Sequence, residues 1–137
     1  MNEQHALLEK AERRLLVAKK LVELSEFEAS ASQSYFAMHF AVRAALARRM
    51  SFPRTHDGAR SEFGRLFVKS GALGAELLGY LDEARSYREK SDYSLVSQIT
   101  ADEARGALRG AELFVESVRG WLSTHDAGKG GEPDPAT

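Results

Sequence analysis

The sequence predicts an all-α fold, an antiparallel bundle of four to five helices. Three observations predict it. Apolar residues recur at three- and four-residue steps through most of the chain, no stretch shows strand-like alternation, and proline or glycine breaks the pattern at only a few points. At 137 residues, with 43% of them hydrophobic, the chain suits one modest core rather than two.

The first helix is predicted from Glu3 to Ser25, where Leu7, Leu8, Ala11, Leu15, Ala18 and Val22 make one stripe with charges between them. A second runs from Glu26 or Glu28 to Met50 with Ala31, Tyr35, Met38, Val42, Ala45 and Leu46 on one face; its many alanines favour helix and allow close packing. Pro53 disfavours helical geometry at Phe52, so the chain turns there. A third helix starts near Thr55 or Asp57 and buries Phe63, Leu66 and Phe67 until Gly71 and Gly74 interrupt it. The fourth spans Ala75 to Lys90 with Leu77, Leu78, Leu81, Ala84 and Tyr87 inward, and a loop carries Ser91 to Ile99. Thr100 and Glu103 have capping-box spacing at the head of a fifth helix, whose stripe of Ala104, Ala107, Leu108, Ala111, Val115, Val118 and Leu122 ends near Ser123. From Thr124 the run THDAGKGGEPDPAT has almost no apolar residue to offset the entropy of ordering. The reading is a helical domain over residues 1–123 and a disordered tail over 124–137.

Composition narrows the function. With no cysteine there is neither a disulfide framework nor a thiolate metal site, which suits a reducing, cytoplasmic setting. No apolar run approaches the roughly 18 residues of a membrane span, and the N-terminus is charged rather than signal-like, so no membrane partner is expected. A net charge of −1 argues against a surface coated in nucleic acid. Between residues 43 and 69, however, Arg43, Arg48, Arg49, Arg54, Arg60, Arg65 and Lys69 stand against only Asp57 and Glu62, a local excess of five. Such a run either faces phosphate or is a solvated face with arginines complementing helix C-termini.

The chain has no phosphate-cradling glycine loop, His-Glu-x-x-His helix, Gly-x-Ser-x-Gly elbow or calcium loop. Its four histidines show no metal spacing, so no metal or cofactor is predicted. What remains is the polar run from Arg85 to Tyr93. If the helix extends through Asp92, Arg88 and Asp92 share a face one turn apart; a guanidinium there can grip a phosphate while the carboxylate orients it or accepts a proton. An ordinary exposed ion pair is the alternative. Tyr93 adds a hydroxyl or a stacking ring. His56, between Thr55 and Asp57, reads as a turn or capping residue or as a base, and His39 as a partly buried, hydrogen-bonded histidine.

The runs AERRLLVAKKLVE, EASASQSYFAMHFAVRAALARR, THDGARSEFGRLFVKSGAL, REKSDY and ITADEARGALRGAELFVESV, in that order over residues 5 to about 120, resemble the HEPN superfamily, and most of all its bacterial and archaeal branch with an Arg-x-x-x-Asp-Tyr motif. The resemblance implies a helical bundle that forms a homodimer, with two copies of the motif meeting across a cleft. It also implies a minimal nucleotidyltransferase partner in a toxin–antitoxin or defence unit, and in one branch a metal-independent ribonuclease. By position the motif falls on Arg88, Asp92 and Tyr93, with Tyr35 and His56 at the family's helical aromatic and its Thr-His-x-Gly turn. Two departures stand out. The ribonuclease branch has a histidine four to six residues after the arginine, where this chain has Asp92 and Tyr93, and its Tyr-Tyr pair is Tyr35-Phe36 here. A carboxylate is a weak base at neutral pH, which leaves His56 as the proton carrier to test.

Three functions follow from that resemblance. In the first, a dimeric module presents Arg88, Asp92 and Tyr93 to a nucleotide, an RNA backbone or the nucleotidyltransferase, with Tyr93 as an acceptor of a nucleotidyl group. The second is a ribonuclease, in which Arg88 steadies the phosphate, His56 or Asp92 moves protons, and Tyr35, Arg54 and Arg60 help to hold RNA. A nucleotide-sensing or scaffolding bundle without chemistry is the third.

Overall fold

The computed structural model describes residues 2–93 and 99–125, and five α-helices account for most of them. They are α1 (Glu3–Glu23), α2 (Phe27–Arg48), α3 (His56–Phe63), α4 (Glu76–Tyr93) and α5 (Ala101–Thr124). The all-α bundle is as the periodicity predicts. Of the tail read over 124–137, Thr124 instead closes α5 and His125 caps it, stacked on Trp121 at 4.4 Å, while the part from Asp126 onward and residues 94–98 lie outside the described residues.

Short polar side chains start the helices. Asn2 accepts from the His5 amide at 2.9 Å, Thr55 from the Gly58 amide at 2.8 Å, and Thr100 and Glu103 complete the reciprocal capping box at 3.1 and 2.9 Å. Helices α1 and α2 end on left-handed residues without glycine, Ser25 at φ 60° and Met50 at φ 59°.

Helix α2 is the centre of the molecule, packing on all four other helices. Its alanine-rich sequence explains why: Ala31, Ala37, Ala41, Ala44 and Ala45 are fully buried on nearly every side, so neighbouring backbones can close in. Ser30 fits the same seam by donating to the Ala18 carbonyl at 2.8 Å. Tyr35, Met38, Val42 and Leu46 on α2 meet Leu77, Leu81 and Ala84 of α4 and Ala107, Ala111, Val115 and Val118 of α5 in one core.

Two boundaries differ from the sequence reading. Helix α4 runs three residues past Lys90, to Tyr93, supported by Arg85–Glu89 and Arg88–Asp92 pairs one turn apart. Ser91 to Tyr93 are therefore helical rather than the start of a loop. After Phe63 the third helix widens into a π-helical turn, Gly64–Val68, with the Lys69 amide reaching back to the Gly64 carbonyl at 2.8 Å. That turn keeps Phe63 and Phe67 stacked inward, 5.3 Å between centroids, before the chain reverses at Gly71 with φ 83°.

Candidate functional site

The middle of α2, the start of α3 and the last turns of α4 bring four groups together. Tyr35 and His39 lie one turn apart on α2, and the Thr55 cap fixes His56 above them. The Tyr35 hydroxyl and His56 Nδ1 are 2.6 Å apart. The imidazoles of His39 and His56 stack face to face, 3.8 Å between centroids and 15° from parallel. From α4 the Arg88 guanidinium covers the rings of Phe36 and Tyr35, 4.9 and 5.9 Å from their centroids.

The structure corrects one expectation here. His39 is buried, 8% exposed, but it makes no hydrogen bond among the described residues; the stack, not a polar partner, holds it. Burial pushes its pKa down to about 4, with His56, Arg43 and Arg85 adding to the effect. His56 is shifted down as well, by burial first and then by Arg88, Arg85 and Arg43, so both rings are neutral at pH 7. Burial raises the Tyr35 pKa despite the nearby Arg85 and Arg88, which keeps its hydroxyl protonated. The 2.6 Å contact is compatible with two tautomers: the phenol donates to Nδ1 and Nε2 carries the ring proton, or Nδ1–H donates to the phenol oxygen and Nε2 is left as an acceptor.

Arg85 belongs to this cluster, although spacing drew attention to Arg88 instead. It reaches Asp57 at 2.5 Å and lines, with Tyr35, His39 and His56, a small cavity of about 10 Å³. The signal for it was present: Arg85 and Arg88 are three apart, one face of one helix.

Asp92 lies elsewhere. It is 3.7 Å from Arg88, and the two side chains line a cavity of about 340 Å³ with Glu26, Glu28, Ala29, Ser32 and Ser91. Arg88 thus stands between two surroundings, carboxylates on one side and the Tyr35–His56 rings on the other. Tyr93 closes α4, and its side chain lies outside what the structure describes.

The seven cations between residues 43 and 69 do not form one patch. Arg60 is gripped by Asp82 at 2.7 and 2.6 Å, Arg65 by Glu62 at 2.9 and 3.1 Å, Arg48 donates to the His125 carbonyl, and Arg49 lies over the rings of Phe67 and Trp121. Arg43 and Arg54 gather instead beside His39 and His56, in a cavity of about 380 Å³ completed by Glu3, Phe52, Pro53 and Thr55. Among the described residues no cluster of three His, Asp or Glu side chains could hold a metal ion, and no helix is long and apolar enough to cross a membrane.

The fold and this polar aromatic cluster define a small helical domain of a known kind. The sequence pattern of the HEPN domain matches residues 4–121. A Methanocaldococcus jannaschii protein named as a candidate toxin is 30% identical over 128 residues, 93% of this chain and 87% of that protein. A second candidate toxin of that organism is 30% identical over 118 residues, covering 85% and 87%. The crystal structure of a protein from Thermus thermophilus matches with a TM-score of 0.75 at 17% identity, over 89% of this chain and all of that one, a likeness of fold. The chain belongs to the HEPN domain family.

Proposed function

We propose that this chain is the HEPN half of a two-component toxin–antitoxin or defence unit, working as a homodimer with a minimal nucleotidyltransferase, and that its cleft binds the phosphate of a nucleotide or of RNA. One observation carries the reading. Arg88 is held over two aromatic rings beside neutral His56, with its nearest carboxylate only at 3.7 Å, so its guanidinium keeps donors for an incoming phosphate. In the tautomer where the Tyr35 hydroxyl donates to Nδ1, neutral His56 offers Nε2–H as a further donor. The names of two relatives support the toxin-like setting.

Incubation of the purified chain with a minimal nucleotidyltransferase and ATP tests the partner directly. The reading expects a stable complex or a mass gain of one nucleotidyl group, at Tyr93 by peptide mapping. Neither result in a mixture where both proteins are folded would count against it.

A second reading, a metal-independent ribonuclease, is favoured by the low pKa of His56 beside Arg85 and Arg88. Unprotonated at Nε2, that ring would take the proton of a ribose 2′-hydroxyl as the oxygen attacks phosphorus, the bond to the 5′-oxygen would break, and the same proton would go to the departing oxygen. Growth arrest on expression, relieved by Arg88→Ala and by His56→Ala, is the expected result. Intact RNA after incubation with the purified protein, in cells that tolerate it, would remove this reading and leave the first.

A further inference from the structure

The cavity that holds Arg43 and Arg54 is not needed for any step above, and its lining is unusual. It shares His39 and His56 with the Arg85 side of the cluster, so the two histidines form a wall common to both. At about 380 Å³ it falls within the roughly 300–1,000 Å³ of small-ligand sites. Neither Arg43 nor Arg54 has an ion-pair or hydrogen-bond partner among the described residues, whereas nearby Arg60 and Arg85 are each held by a carboxylate. Phe52, 52% exposed, stands in the same wall, and Pro53 after it stiffens the backbone. A large ring left outside the core beside two uncommitted guanidinium groups has the composition of a base-stacking subsite. Glu3, in the same lining, is an acceptor suited to a base's exocyclic amino group.

We propose that this cavity is a second nucleotide subsite: a base stacks on Phe52, its phosphate lies between Arg43 and Arg54, and the cleft takes two consecutive nucleotides of a single strand across the His39–His56 pair. This rests on the phosphate-binding reading of Arg88 and extends it from a mononucleotide to a strand. The strand must be unpaired, because a base within a duplex has no free face to offer Phe52. From Arg88, which itself lines the cavity with Glu26, Glu28 and Asp92, the strand runs toward Arg43 and Arg54, since those three carboxylates repel a further phosphate.

Binding of two probes to the full chain tests the proposal: AMP, and a ten-nucleotide 2′-O-methyl single strand that cannot be cut by its own 2′-oxygen. Phe52→Ala should weaken the strand about tenfold and leave AMP unchanged, while Phe52→Tyr retains strand affinity. Arg54→Gln should lower the salt slope of strand binding by about 0.7. Both side chains are exposed, and an unchanged melting temperature confirms the fold of each variant. If Phe52→Ala and Arg54→Gln bind the strand as the parent does, or if Phe52→Ala weakens AMP equally, the second subsite is overturned while the Arg88 reading stands. If Arg88→Ala leaves both probes unaffected, that reading fails and the subsite falls with it.

Discussion

Two aromatic stacks cross this bundle, and they are built alike but finished differently. In one, Phe63 lies 5.3 Å from both Phe67 and Phe114, Trp121 meets Phe67 edge-on at 4.8 Å, and the Arg49 guanidinium sits 5.0 Å from the Phe67 ring. In the other, Tyr35 and His56 centroids are 5.7 Å apart, His39 and His56 3.8 Å, and Arg88 covers Phe36 and Tyr35. The first stack is closed: Phe63, Phe67 and Phe114 are fully buried and carry no polar atom to satisfy. The second lines cavities on two sides and carries ring nitrogens, one pair of which has no hydrogen-bond partner among the described residues. Those nitrogens border cavities rather than the closed core, and their place beside Arg43, Arg85 and Arg88 is what a ligand would use. One stack holds the bundle together, and the other exposes chemistry.

Breaking the closed stack should have the largest effect on stability. Phe114→Ala removes a fully buried ring between α5 and the third helix and should cost about 3–5 kcal/mol, read by denaturant unfolding. Ligand affinity of the protein that stays folded should not change. The opposite pattern is expected of Arg88→Ala. Loss of charge-assisted hydrogen bonds should weaken nucleotide binding by about 10- to 100-fold, while unfolding moves by less than about 1 kcal/mol because the side chain is partly exposed. If Arg88→Ala destabilised the chain as much as Phe114→Ala, the two stacks would be alike and the contrast would collapse.

How far this contrast was legible in the sequence depends on the kind of periodicity each stack uses. Phe63 and Phe67 stand four apart in a helical pattern, so their burial could be read directly, as could the capping box at Thr100, whereas the cap of α3 falls on Thr55 and not on His56. The open stack unites α2, the turn before α3, and α4, and no local spacing encodes the contact of His39 with His56 seventeen residues on. Read alone, His56 looks like a turn residue and His39 like a hydrogen-bonded, partly buried one, until the backbone brings the two rings face to face. The Arg88–Asp92 step was legible as helix geometry, but not that Asp92 would join Glu26 and Glu28 away from His56. Likewise the run of cations left a phosphate-facing patch and a solvated face both open, because sequence shows charge and not its partners: Asp82 and Glu62 claim two of the arginines.

Acid should separate the stacks next. His39 has a pKa of about 4 in the folded chain against an ordinary value near 6.5, so the unfolded chain binds more protons between these values. Stability should therefore fall as pH drops from about 6.5 toward 4, by at most about 1.4 kcal/mol per pH unit for one histidine. His56, Arg43 and Arg85 face this ring and oppose its charging, so no neighbour cancels the trend. His39→Phe makes the open stack resemble the closed one, and melting temperatures measured across that range should become flatter than in the parent. An unchanged slope would place the acid sensitivity elsewhere.

The smallest change is the most informative about chemistry. Tyr35→Phe keeps the buried ring and deletes only the hydroxyl that bonds to His56 Nδ1 at 2.6 Å, a loss of about 1 kcal/mol. Its value lies in the tautomer. While the phenol donates, Nδ1 is the acceptor and Nε2 bears the proton, so the ring presents a donor to a phosphate. Without the phenol either nitrogen can hold the proton, and Nε2 gains access to the basic form. Imidazole ¹⁵N shifts should show one tautomer in the parent and a mixture in Tyr35→Phe. If the parent instead holds its proton on Nδ1, His56 is already arranged as a base at Nε2, and the balance between binding and strand cleavage moves toward cleavage.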